Sequence, residues 1–255
     1  MSLARTALRI AAVAALNSHP AIDARCAGRV YDSRIGDFDH DELVPVIVVT
    51  TEELHGDAVS QQNGGTPFFD ECDLVLEIAM TQLVSQDGQE LIVRSGTDSG
   101  MEADLDFIEW CAEQILTTGK TDPRAARPTP AGRVLTQAVM RRVKRRTSSR
   151  FASDDTGQKL AIHLLTFRVE LKGETPDVLN LPTGPFASLP DPLRTVAESL
   201  PVGSPAYLIC QTMAAGLIAS APTMLQLAAI NPAGTGTPVP NNSVPSLTIP
   251  LAETP

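Results

Sequence analysis

Chemistry needs particular side chains at particular spacings, and several stretches of this chain come close to such spacings. Asp37, Asp39 and Asp41 alternate as the first ligands of a calcium loop do. Glu42 stands where that loop needs Gly for its sharp turn, and Val48 where it needs a bidentate Glu, so a solvated acidic loop is expected. His19, His40, His55 and His163 have no metal-ligand spacing, and no metal is expected. Gly96 to Gly100 (GTDSG) does not put Ser at the centre of a nucleophile elbow. Gly157-Gln158-Lys159 lacks the preceding Gly and the following Ser or Thr of a phosphate loop. Cys26, Cys72, Cys111 and Cys210 form no CxxC unit, and two of them lie in apolar patterns. Buried free thiols and assembly in a reducing cytoplasm are therefore expected. The residues point to no catalytic site and no cofactor.

One charge cluster stands out. Arg141, Arg142, Lys144, Arg145 and Arg146 form a dense basic run in a chain of net charge −10. So acidic a chain does not grip DNA over its whole surface. Aromatic content of 4% also argues against a stacking platform for single strands. The cations are local and call for a local partner. The expectation is that they point toward an acidic surface of a neighbouring subunit, not toward nucleic acid. The polar, Gly-rich stretch Leu54–Phe69, with Gln61, Gln62 and Asn63 at its centre, is a second candidate contact. It reads as a flexible connection between strands, ordered against a neighbour.

The elements that would position these groups follow from periodicity. Leu3–Leu16 has helical apolar spacing, with Arg5 and Arg9 one turn apart, and reads as a mature amphipathic helix, not a signal peptide. Ile22–Gly28 reads as a loop, and Arg29–Asp32 as a short strand. Val44–Thr51 is β-branched and apolar, a central strand. Glu71–Val84 alternates cleanly, and so does Lys159–Lys172, where Ala161, His163, Leu165, Phe167, Val169 and Leu171 share one face. Glu102–Leu116 is an amphipathic helix with Asp104 and Asp106 at its positive end. Ala131–Arg146 has an apolar stripe of Val134, Leu135, Ala138, Val139 and Val143 and reads as a helix whose last turn carries the basic run. In that position each exposed cation would gain about 0.3–1 kcal/mol from the helix dipole. The three strands are expected to pair in one sheet, with the helices at Leu3–Leu16 and Glu102–Leu116 on one face.

After Gly173 the composition changes: 14 of the 20 prolines lie beyond Thr175. Leu193–Leu200 is a short helix. Pro205–Ser220 is an uncharged helix expected to be buried against protein, being short for a membrane span. Met224–Ile230 is a candidate last strand, and Asn231–Pro255 a Pro/Gly/Asn tail. Two regions are expected, 1–173 as an α+β domain and 174–255 as a Pro-rich accessory region or arm with one buried helix.

The order of elements over Met1–Gly173, with "GRVYDSR" near the start and "LAIHLLTFRVEL" at the close, resembles the tail terminator (tail completion) proteins of long-tailed phages and gene transfer agents. The resemblance implies an α+β fold, a small mostly antiparallel sheet flanked by helices. It implies a non-enzymatic hexameric ring that caps the tail tube and stops its growth. The major tail tube protein and the head–tail connector protein would be its partners. Its place would be the virion tail near the head–tail junction, with assembly in the host cytoplasm. DNA would pass through the channel without specific binding, and no membrane would be involved. The region after Gly173 is extra relative to a minimal terminator. It keeps a second virion subunit (a head–tail connector or minor tail protein) and an enzyme of unknown class as competing readings.

Overall fold

In the computed structural model, residues 3–33, 44–58, 68–83, 98–155, 158–174 and 183–220 are described. They form an α+β unit built on a five-stranded, mostly antiparallel sheet. Its strands are β1 (Val30–Asp32), β2 (Val46–Ala58), β3 (Phe68–Leu83), β4 (Met140–Asp155) and β5 (Gln158–Leu171). The spatial order is β1-β2-β3-β5-β4, and only β1 runs parallel to its neighbour. The three strands expected from alternation are present and adjacent, as β2, β3 and β5.

The alternation of β5 decides which side is inside. Ala161, Leu165, Phe167, Val169 and Leu171 are buried in the main core, together with Leu74, Leu76 and Ile78 of β3 and Ile47 and Val49 of β2. Helices α1 (Leu3–Asn17) and α3 (Asp98–Thr118) cover this face with Leu8, Ile10, Leu16, Leu105, Ile108 and Ile115. Burying one such side chain contributes roughly 1.5–3 kcal/mol. The other face carries Val46, Val48, Val75 and Ala79, which are buried but outside that core. The two cations of α1 tie it to the sheet. Arg5 donates to the Thr51 hydroxyl and carbonyl, and Arg9 pairs with Asp32.

Two local readings are corrected. The stretch expected as a loop at Ile22–Gly28 is mostly helix, α2 (Pro20–Cys26). Its signals are Pro20 in the first turn, the His19 ring accepting from the Ala21 N–H, and Ala27 in the left-handed region at φ 49°. The helix expected over Ala131–Arg146 stops early. It is a single turn, α4 (Pro130–Arg133), capped by the Thr129 hydroxyl, followed by a π-helical segment Val134–Val139. From Met140 the chain is strand. Val143 continues the helical spacing of the apolar stripe, yet it packs on the core from β4, opposite Val169. The sheet edge at β5 takes a strand partner, and that overrides helix propensity.

The compact unit holding the sheet runs to Ala219, past the boundary expected at Gly173. Phe186, Leu189, Leu193, Val196 and Ala197 are core residues, the last three on α5 (Leu193–Ser199). Helix α6 (Pro205–Ser220) is capped by Ser204, whose hydroxyl accepts from the Tyr207 N–H. It buries Cys210 and Ala214 but leaves Leu208, Ile209, Leu217 and Ile218 exposed. The expectation of a buried helix therefore holds for one side of it only. Among the described residues no helix is long and apolar enough to cross a membrane. The acidic loop Asp37–Asp41, the expected strand Met224–Ile230 and the tail lie outside the described residues.

Gly119 ends α3 at φ +72° and packs against Gly132 at the start of α4. A Cβ on Gly132 would sit 2.1 Å from the Gly119 carbonyl oxygen, a contact that only backbone movement relieves. Gly132→Ala is expected to destabilise the fold by more than about 3 kcal/mol. Gly173→Ala, where a Cβ meets nothing within 4 Å, should change stability by no more than ~0.5 kcal/mol. Denaturant unfolding of the two variants measures the contrast, and similar values for both would refute the close approach.

Candidate interaction surface: a cationic edge strand

The basic run lies on β4, the edge strand of the sheet. The dipole stabilisation expected for a helix end does not apply there. Two register shifts, between Met140 and Arg142 and between Val143 and Arg145, place one extra residue each at Arg141 and Lys144. The bulges let three cations converge on one acceptor. Arg142 Nε donates to Glu170 at 2.8 Å, Arg141 Nη1 at 3.2 Å, and Lys144 Nζ lies 3.7 Å from the same carboxylate. Lys144 also pairs with Glu71, across the sheet from Glu170. Glu170 is only 8% exposed. The Arg142 hydrogen bond, helped by Lys144 and Arg141, holds its carboxyl below the usual range despite the opposing effect of desolvation.

Past the second bulge, alternate residues of β4 turn toward α3. Arg146 pairs with Glu113, the Ser148 hydroxyl donates to Glu109 at 3.1 Å, and Arg150 Nε donates to Glu102 at 2.7 Å. The Arg150 hydrogen bond holds Glu102 below the usual carboxylate range. Buried His163 joins this seam from β5, with Nδ1 3.0 Å from Glu109 and Nε2 3.5 Å from Glu102. The strand and helix repeats differ, so successive partners step unevenly along α3, by four residues from Glu113 to Glu109 and by seven from Glu109 to Glu102. Two strand residues advance about 6.7 Å, and one helical turn about 5.4 Å. Glu102, Asp106, Glu109 and Glu113 recur at helical spacing on α3, a signal present in the sequence that reading its acids as dipole partners misses.

Arg145 differs from the rest of the run. It sits on the sheet face away from the helices, in register with Arg168 of β5, and is exposed without an ion-pair partner among the described residues. Arg168 turns to Asp73 of β3 through two hydrogen bonds of 2.8 and 2.7 Å, with Glu53 of β2 at 3.5 Å. These bonds hold the Asp73 carboxyl low. A charged row therefore crosses the sheet. Gln61, Gln62 and Asn63 lie outside the described residues, and the connection expected from Leu54 begins later, because β2 continues to Ala58.

The chemistry available elsewhere is sparse. All four Cys are free and buried, and burial pushes the Cys26 and Cys72 thiols up to about 12 and about 11, so neither is poised as a nucleophile. Among the described residues no group of three or more His, Cys, Asp or Glu side chains is placed to hold a metal ion. A cleft of about 380 Å³ is lined by Ala138, Lys172, Gly173, Asp191, Pro192 and Thr195. Its carboxylate is engaged: Asp191 accepts from the Thr195 hydroxyl at 2.6 Å and pairs with Arg194. Lys172 bonds the Gln137 carbonyl.

No protein-family profile matches the chain, and no curated protein matches it.

Three carboxylates at this surface, Glu170, Asp73 and Glu102, sit below their ordinary values of 4.5, 3.8 and 4.5 in the native state. Groups lowered on folding add stability that is fully present above those ordinary values. The contribution is lost as pH falls through the native ones. Glu170→Gln should be less stable than the native protein at pH 7, and the gap should close as pH drops below about 4.5. Urea midpoints from pH 7 to pH 3 measure it; a gap independent of pH would show that Glu170 acts by packing alone.

Proposed function

We propose that this chain is a structural subunit of a phage-type tail, a tail terminator. It assembles into a hexameric ring, caps the tail tube and joins it to the head connector. The reading rests on the resemblance over Met1–Gly173. It is supported by an α+β fold of the class that the resemblance implies. The observation that carries it is the pair of open sheet edges. Helices line one face of the sheet, and among the described residues neither β4 nor the distal half of β2 has a strand partner on its outer edge. A subunit made for lateral neighbours needs free edges and charged surface, and it needs no reaction centre.

The basic run fits this role better than a grip on DNA. A conduit that held duplex by counterion release would resist its passage. Arg141, Arg142, Lys144 and Arg146 already face carboxylates of their own chain, whose negative charge opposes a phosphate taking their place, so they would displace few of the counterions condensed on DNA. The partners are further copies of the chain, the major tail tube protein and the head–tail connector protein.

Negative-stain microscopy and mass photometry of the purified chain are expected to give six-fold rings with a central hole. Duplex binding should be weak, with a shallow salt slope. A monomer or dimer at micromolar concentration, or tight duplex binding that falls steeply with salt, would overturn the reading. Deleting Gln61–Gly65 should leave the subunit folded and reduce its incorporation into tails; unchanged incorporation would remove that loop from the contact.

A further inference from the structure

The two outer edges of the sheet carry opposite charge at the same level. Register fixes the levels. His55 of β2 aligns with Glu71 of β3, Glu170 of β5 and Arg142 of β4. Thr51 aligns in turn with Leu74, Phe167 and Arg146. Between these two levels, β2 bulges at Glu52 and Glu53 opposite Asp73, and β4 presents Arg145 opposite Arg168. One row across the sheet therefore reads Glu52 and Glu53, Asp73, Arg168, Arg145. Its inner members satisfy each other: Arg168 bonds Asp73 and reaches Glu53. Its outermost members, Glu52 and Arg145, are exposed and form no ion pair among the described residues.

Both edges are open beside this row. β1 covers β2 only at Ile47–Val49, and among the described residues no strand pairs β2 beyond it. β4 is likewise paired on one side only among the described residues. Charges on an edge strand blunt unwanted strand pairing. That purpose accounts for charge on either edge taken singly. It does not account for opposite signs at the same level on the two edges.

We propose that a second copy of this chain docks edge to edge. The bulged start of β4, Met140–Arg146, of one subunit would lie beside Thr51–Ala58 of β2 of the next, bringing Arg145 against Glu52 and Glu53; beyond Arg146 the two strands must splay apart, because β1 holds the Ile47–Val49 level of β2. The inference deepens the ring reading and rests on it. Three features fix this mode over others. Pairing β4 with β4, or β2 with β2, sets like charges together, whereas β4 with β2 sets opposite ones together. Three antiparallel steps separate β2 from β4 in the sheet, so the two strands run in opposite directions. A rotation axis running roughly along the strands preserves that relation over the short stretch that β1 leaves open. Because the charges share one level, the operation needs no shift along the axis, and a rotation without a shift closes a ring. A neighbouring strand at about 4.8 Å puts Arg145 within reach of both glutamates.

A charge swap in the full chain tests the contact. R145E, E52R and the double variant E52R/R145E would be compared with the native protein by mass photometry across protein concentration and at low and high salt. Circular dichroism would confirm the fold of each; both positions are exposed. Each single reversal is expected to raise the half-assembly concentration at least tenfold, with the native assembly weakening at high salt. The double variant exchanges the two charges across the contact, so opposite signs meet again between copies. It should recover to within about threefold of native. A native ring indifferent to both single reversals would overturn this interface and leave the ring reading standing. So would a folded double variant that assembles no better than the singles. An assembly of another symmetry that responds to the swap would support the edge contact and remove the ring. A native chain that stays monomeric would overturn both.

Discussion

Five cations within six residues cannot share one strand unless carboxylates are brought to them. Like charges about 6 Å apart repel by roughly 2–3 kcal/mol at the effective dielectric of a protein surface. Much of the architecture around β4 reads as the answer. The bulges at Arg141 and Lys144 turn consecutive cations toward a common acceptor, Glu170, and Lys144 reaches Glu71 as well. Farther along, α3 lays a row of acids beside β4. The fold and the charge pattern are therefore not separable. Without α3 on this face Arg146 and Arg150 would be unpaired and His163 would meet neither glutamate.

That dependence also explains why surface ion pairs matter here beyond their individual strength. An exposed pair contributes only ~0–1 kcal/mol. Exposed charge at β4 therefore says little about stability and more about register. The pairs at Glu170 and along α3 distinguish the observed strand register from one shifted by a residue, which would turn Arg146, Ser148 and Arg150 to the opposite face. The apolar stripe of β5 specifies the same register from the other side, through Leu165, Phe167 and Val169 in the core. Two independent patterns agreeing on one register is what a uniquely folded edge strand requires.

Much of this is legible in the sequence where a single period runs without interruption. β5 and β3 follow from strict alternation, and α1 and α3 from helical spacing. What is not legible is where the period breaks. Two bulges within Arg141–Arg145 erase the alternation of β4, while Val143 extends an apolar stripe that belongs to the π-helical segment before it. Helical and strand periods therefore overlap there, and the helical one dominates the pattern although the strand forms. The bulge at Glu52 and Glu53 likewise hides the second half of β2, whose polar residues resemble a loop. The acidic stripe of α3 is in plain sight, but its meaning depends on β4 lying beside it, a long-range fact. The basic run is recognisable as a site from its density alone; its carboxylate partners in the same chain are not.

The pairing in cis changes what the basic run can do. A cation already bound to a carboxylate neutralises a phosphate poorly, because the paired carboxylate repels the polyanion, so it displaces few of the polyanion's condensed counterions. On β4, Arg141, Arg142, Lys144, Arg146 and Arg150 each face a carboxylate of this chain, five cations on the four acids Glu170, Glu71, Glu113 and Glu102, and among the described residues Arg145 has no such acid. A surface built to hold DNA would leave its cations free and spread them along a groove. Here the charge is cancelled almost everywhere and left open at one level of the sheet, opposite in sign on the two edges. An unsatisfied charge at a rim gives orientation and rejection of wrong partners more than it gives affinity. That is the property a repeating, self-complementary edge needs, since each subunit must accept the next in one orientation and refuse the reverse.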